Sequence, residues 1–166
     1  MKQEIKMEKL NKSFFERNSE EVAKELLGKY LIMTSDDKLI KVKLTEIGAY
    51  EGITKTSPKE LYYEPGILFI TKKFNQNLLD ISTNKKDNPS CVTLRGCEIQ
   101  LENRIERING PGNLAKTLGI NENNKNHYNL QKVYEGLIWF EDYFDAKSQI
   151  KQLKPNSPNC KGIYKI

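Results

Sequence analysis

A chain of 166 residues can bury one hydrophobic core but is too short to make two comfortable ones. With 37% apolar, 9% aromatic and 30% charged residues it reads as globular, and disorder is confined to its ends. The net charge of +5 suits a polyanionic partner, yet its cations are mostly lysines accompanied by many asparagines and isoleucines, a compositional bias that gives the same charge without such a partner, and both readings stay open.

In chain order, residues 1–12 are polar and read as a flexible tail ahead of a single domain over 13–166. Residues 18–28 read as a short amphipathic helix, with Asn18 or Ser19 as cap, Glu20 and Glu21 in the first turn and Gly28 as its stop. Val22, Leu26 and Phe15 form its expected buried stripe. Residues 30–33 and 39–46 read as two strands of a hairpin turning through Ser35-Asp36-Asp37, with Ile40, Val42 and Leu44 on one face. Pro65-Gly66 introduces a further apolar run at 67–70, and 78–81 and 91–95 follow at strand spacing between Asn-rich turns. Gly110-Pro111-Gly112 opens a two-turn helix that Gly119 closes. Residues 137–140 read as another strand, and from Lys154 the chain is rich in Pro and Asn. The expected fold class is α+β, a mostly antiparallel sheet with a few short peripheral helices.

No segment approaches the roughly eighteen consecutive apolar residues of a membrane span, and the first residues lack the apolar stretch of a secretory signal. A cytoplasmic location, nucleoid-associated in a bacterium, is expected. Cys91, Cys97 and Cys160 match no zinc spacing and read as reduced and structural; His127, the single histidine, reads as a surface-loop residue. No metal or cofactor is expected.

Several short stretches, in order, carry a resemblance. They are Phe14-Phe15-Glu16-Arg17 and Leu26-Leu27-Gly28-Lys29-Tyr30-Leu31, then Thr45-Glu46-Ile47-Gly48-Ala49-Tyr50-Glu51-Gly52. Pro65-Gly66-Ile67-Leu68-Phe69, Val92-Thr93-Leu94-Arg95, Asn109-Gly110-Pro111-Gly112-Asn113-Leu114 and Leu118-Gly119-Ile120 follow. Together, over 14 to about 120, the chain resembles a shortened, divergent member of the alkyladenine (3-methyladenine) DNA glycosylase family. The resemblance implies a curved sheet and a monomer that binds duplex DNA from the minor groove, inserts an aromatic wedge and swings a damaged purine into a pocket. There a carboxylate activates water for base-excision chemistry, without metal or cofactor.

Carried over singly, the family's Glu-Thr-Glu-Ala-Tyr aligns with Glu46-Ile47-Gly48-Ala49-Tyr50. The stacking tyrosine is present as Tyr50, and glycine stands at Gly48 in place of the general base. Glu46 is a weak substitute, since two residues of strand displace it by roughly 6.5 Å; the bland reading is a solvated or paired strand residue. In the segment after Pro65-Gly66 a second stacking tyrosine becomes Thr71. The wedge tyrosine becomes Phe74, with Lys72 and Lys73 beside it for phosphates; an ordinary core residue is an equal reading of Phe74. An asparagine that screens the purine aligns with Asp80, a second weak substitute for the base and an anion that would alter base choice. Arg95 matches an arginine near the pocket, although a pairing with Glu46 or Asp80 would explain it equally well. The loop from Ile53 to Glu64 is cut short and lacks the family's histidine, and no last strand is clearly matched. The implied function is a glycosylase for alkylated purines, catalytically impaired at Gly48; a non-catalytic duplex-DNA-binding or protein-interaction module on the same fold is the alternative.

Overall fold

The computed structural model describes residues 9–35, 38–52, 64–84, 89–136, 138–141 and 149–166, and one long strand organises them. The elements run α1 (Lys12–Phe15), α2 (Ser19–Leu26), β1 (Tyr30–Ser35), β2 (Lys38–Glu51), β3 (Leu68–Lys73), β4 (Gln76–Ser82) and β5 (Ser90–Gln100). They continue with β6 (Ile105–Asn109), α3 (Pro111–Thr117), α4 (Lys125–Tyr128), β7 (Ile138–Glu141), β8 (Lys151–Leu153) and β9 (Cys160–Lys165). Among the described residues the strands form one antiparallel sheet in the order β3-β4-β5-β2-β1-β7, with β6 beside β5 and with β9, which carries β8, beside β2.

β2 pairs with β5 along one edge, while along the other it pairs first with β1, from Lys38 to Lys43, and then with β9, from Glu46 to Tyr50. The handover coincides with a double irregularity. Leu44 lies opposite Cys97 and Glu46 opposite Gly96, so Thr45 is the extra residue of β2; Ile47 then lies opposite Leu94, so Arg95 is the extra residue of β5. Such bulges increase local twist and let a strand switch the parity of its inward positions. Val42 and Leu44 are buried on one side of the bulge and Ile47 and Ala49 on the other, all in one core, which leaves Glu46, Gly48 and Tyr50 on the opposite face. The spacing of Leu44 and Ile47, three rather than two, is the trace of this bulge in the sequence. The sheet therefore curls, as the resemblance implied.

α2 packs on β2, β5 and β9, and α3 packs on β4, β5 and β6, covering the apolar face. The α2 cap forms as expected, with the Asn18 side chain accepting from the Glu21 amide at 2.9 Å, and Gly28 ends the element at φ 84°. Val22, Leu26 and Phe15 are fully buried in the same core as Leu31, Leu94 and Leu114.

β6, β8 and β9 were not legible in the sequence. β9 matters most, because Ile163 and Tyr164 are buried and the strand lies directly against β2 at Gly48. It hides behind a Pro- and Asn-rich run, and Gly162 interrupts its apolar pattern. At the other end, Lys9 bridges Glu141 and the Leu10 amide donates to the Phe140 carbonyl oxygen, so these two residues lie along β7. The turn at 36–37, most of the shortened loop (53–63) and Leu137 lie outside the described residues, and residues 1–8 do as well. No helix among the described residues is long and apolar enough to cross a membrane.

Candidate functional site

Directly opposed residues of an antiparallel ladder share a face, and on the side of the sheet away from the helices they make a continuous row. Phe69 of β3 faces Asp80 of β4, Asp80 faces Thr93 of β5, Thr93 faces Gly48 of β2, and Gly48 faces Ile163 of β9. Two residues further along β2, Tyr50 faces Cys91. Gly48, Tyr50, Asp80 and Thr71 thus belong to one surface, and Arg95 reaches it beside Gly48.

Gly48 is buried beneath its own neighbour. A β-carbon placed there would stand 2.8 Å from Tyr50 Cε2, 3.1 Å from the Tyr50 hydroxyl oxygen and 3.2 Å from Arg95 Cδ. The tyrosine ring is therefore folded back over the glycine and fills the space a side chain would take. The Tyr50 hydroxyl donates to Asn156 Oδ1 at 3.0 Å, and the ring packs against a small separate cluster of Phe69 and Cys91. Burial pushes the phenol above its ordinary range, opposed by Asn156 and Arg95, so it remains a proton donor.

Of the two partners expected for Arg95, the structure provides Glu46: Arg95 Nε donates to Glu46 Oε2 at 3.0 Å, and both side chains are mostly buried. The Glu46 carboxylate is thereby held by a cation. Asp80 has a different setting. Only 6% exposed, it accepts hydrogen bonds from Thr71 Oγ1 at 3.0 Å and, through its other oxygen, from Thr93 Oγ1. Burial raises its carboxyl from 3.8 to about 6, against the opposing pull of the Thr93 and Thr71 hydroxyls and the Lys73 charge. Burial also pushes the Cys91 thiol well up and takes the Cys97 thiol to about 12; both are free, as is buried Cys160, in keeping with a packing role.

β3 and β4 make a hairpin whose two turn residues are Phe74 at φ 50° and Asn75 at φ 60°. Phe74 is 88% exposed, which removes the core reading of this residue. The two-residue turn that needs positive φ at both positions favours Asn-Gly, and an aromatic residue there carries strain. Lys73 Nζ lies 5.6 Å from the Phe74 ring centroid. Lys72 is engaged by Glu122 at 3.3 Å, and Glu122 also holds Lys125 at 2.7 Å, whereas Lys73 directly precedes the turn residue Phe74. The hairpin rests on the segments after it. The Ile70 amide donates to Asn129 Oδ1, and Gln76 lies so close over Gly112 that a β-carbon there would stand 2.6 Å from it.

Thr93, Asn156, Phe69 and Cys91 went unrecognised as neighbours of the site. Nothing local marks them; only the pairing of strands distant in the chain brings them to Gly48. Clefts elsewhere, one near Phe14 and Arg17 and one between α2 and Tyr164, include none of Tyr50, Asp80 and Arg95. His127 is exposed on α4.

Comparison with known proteins points to a single family. A provisionally named 3-methyladenine DNA glycosylase of Clostridioides difficile is 30% identical over 172 residues, covering 84% of this chain and 83% of the relative. One of Ehrlichia chaffeensis is 31% identical, covering 74% of this chain and 73% of the relative. One of Clostridium novyi is 34% identical over a shorter stretch, 55% of this chain and 51% of the relative. The family model described as methylpurine-DNA glycosylase matches residues 13–155, from within α1 to just beyond β8, and with the curled sheet and its helices in place the chain belongs to the methylpurine-DNA glycosylase family.

Proposed function

We propose that this protein acts on duplex DNA as a base-excision repair protein of the 3-methyladenine class, flipping alkylated purines toward the Gly48 surface and cleaving the N-glycosidic bond with impaired chemistry. The observation that carries the reading is Phe74, an exposed aromatic held at positive φ on the tip of a braced hairpin. A wedge must be apolar, stiff and already projecting, because unstacking a base step costs a few kcal/mol and a floppy side chain would add its own ordering cost. In this reading the protein works as a monomer from the minor groove, Lys73 and Lys72 meet flanking phosphates, and Tyr50 swings out to stack on the extruded base above Thr71, Asp80 and Arg95. Alkylated purines are cationic and leave readily, so weak catalysis suffices for them.

The alternative is a non-catalytic module that keeps the DNA face alone. One observation favours it: in the closed arrangement the Tyr50 ring occupies the place of the missing carboxylate. A Gly48→Glu variant assayed beside the parent for release of 3-methyladenine and hypoxanthine separates the two. The atoms nearest a new β-carbon are the movable end of Tyr50 and the Arg95 stem, so a swing of the ring makes room for it. Release by both proteins, faster in the variant, is the expected result. Release by the variant alone supports the non-catalytic alternative, and duplex binding absent even at low salt removes both readings.

A further inference from the structure

We propose that Asp80, acting through the Thr93 hydroxyl, is the proton acceptor that replaces the missing glutamate, with the water it activates seated over Gly48. The inference rests on the reading above and concerns the chemistry of the same surface. Adjacent strands lie about 4.8 Å apart, and Thr93 stands directly opposite both Gly48 and Asp80, one spacing from each. Thr93 is the residue between the vacated position and the buried carboxylate in the ladder, and its hydroxyl proton is already committed to Asp80. A hydroxyl that donates in one direction keeps lone pairs for a donor on its other side. In the proposed arrangement that side faces the space above Gly48, which the Tyr50 ring now fills and which would open as the ring turns to stack on a flipped base.

The other carboxylate of this surface is unsuited, because Glu46 is held by Arg95. In the proposed step the water oxygen bonds to the sugar carbon C1′ as the N-glycosidic bond breaks. The bonding electrons leave with the cationic purine, which departs neutral. The proton of the attacking water passes to Thr93 Oγ1 while that hydroxyl's own proton passes to Asp80. The groups around Asp80 are consistent with a base working near neutrality: Lys73 from β3 favours its charged form, burial opposes it, and Cys91 from β5 and Tyr50 from β2 stay protonated beside it. Arg95, further along β5, has its charge matched by Glu46.

The test is single-turnover release of 3-methyladenine from methylated duplex DNA with protein in excess, from pH 5 to 8, beside binding to the same duplex. Above the spontaneous background, release by the parent should rise as pH passes through about 6. Asp80→Asn and Thr93→Val should each lose about a hundredfold or more, the scale of a general base, while Thr93→Ser keeps most of the rate. Gly48→Glu placed in the Asp80→Asn background should restore release, showing that the loss was of a proton acceptor and not of the fold. Equal release by Asp80→Asn and the parent overturns the inference. So does a silent parent that still binds duplex and gains activity on Gly48→Glu, an outcome that spares the DNA-binding part of the reading above. Absence of both binding and release in every variant overturns the two together.

Discussion

The two faces of the sheet are built to opposite standards. The helix-covered face is apolar and closely filled, with Ile47, Ala49, Leu79, Ile81, Val92 and Leu94 all fully buried beneath α2 and α3. The other face, presented by the same strands one residue out of step, carries a glycine under a folded tyrosine, a buried carboxylate and an ion pair, and its hairpin ends in a strained, exposed phenylalanine. A strand alternates its side chains, so Val92 and Thr93, or Ile47 and Gly48, experience opposite surroundings at adjacent positions. The difference teaches that stability is gathered on one side and given up on the other, the usual sign that the second side serves something other than folding.

Substitutions at neighbouring positions sharpen this contrast. The largest effect belongs to the filled face: Leu94→Ala should lose about 2–5 kcal/mol in urea unfolding, with duplex affinity changed only in proportion to the folded fraction. A Leu94→Ala variant as stable as the parent would break the comparison at once. On the other face the sign should reverse. The Asp80 carboxyl is raised from 3.8 to about 6, so the folded state holds its proton more tightly than the unfolded chain, and stability falls as pH rises through that window. That shift corresponds to roughly 3 kcal/mol, already net of the threonine hydroxyls and the Lys73 charge. Asp80→Asn should accordingly raise the melting temperature at pH 7 and leave it unchanged at pH 3.

Phe74→Gly should gain about 1–2 kcal/mol by relieving the positive φ, and at the same time weaken duplex binding; a variant that is both less stable and equally tight in binding would contradict the wedge reading. The smallest effect returns to the helices. Asn18→Ala removes the cap of α2 and should cost about 1 kcal/mol in thermal unfolding, with no change in the salt dependence of DNA binding, which phosphate contacts alone determine.

Several elements could be read without coordinates because their determinants are local. The α2 helix declares itself through Asn18, its acidic first turn and Gly28; the β1–β2 hairpin follows from alternation on either side of a polar turn. Gly48 was singled out because Ala49-Tyr50 and Gly52 set the alignment around it. Phe74 was ambiguous, since a single aromatic between polar residues has the same appearance in a core strand and on a hairpin tip. The pairing of Arg95 was narrowed to two acids, and the choice of Glu46 needed the bulge that leaves Arg95 as the extra residue of its strand.

The chain by itself determined the family, the α+β class, and a glycine at position 48 with a tyrosine two residues on, because these are properties of residue identity and short-range order. Only the tertiary structure decided that Tyr50 closes over Gly48, that β9 lies against it, and that Thr93 stands between Gly48 and Asp80. Those facts depend on the register of strands far apart in sequence, and register is set by which apolar side chains must share one core, a condition that the whole sheet satisfies at once and no local stretch encodes.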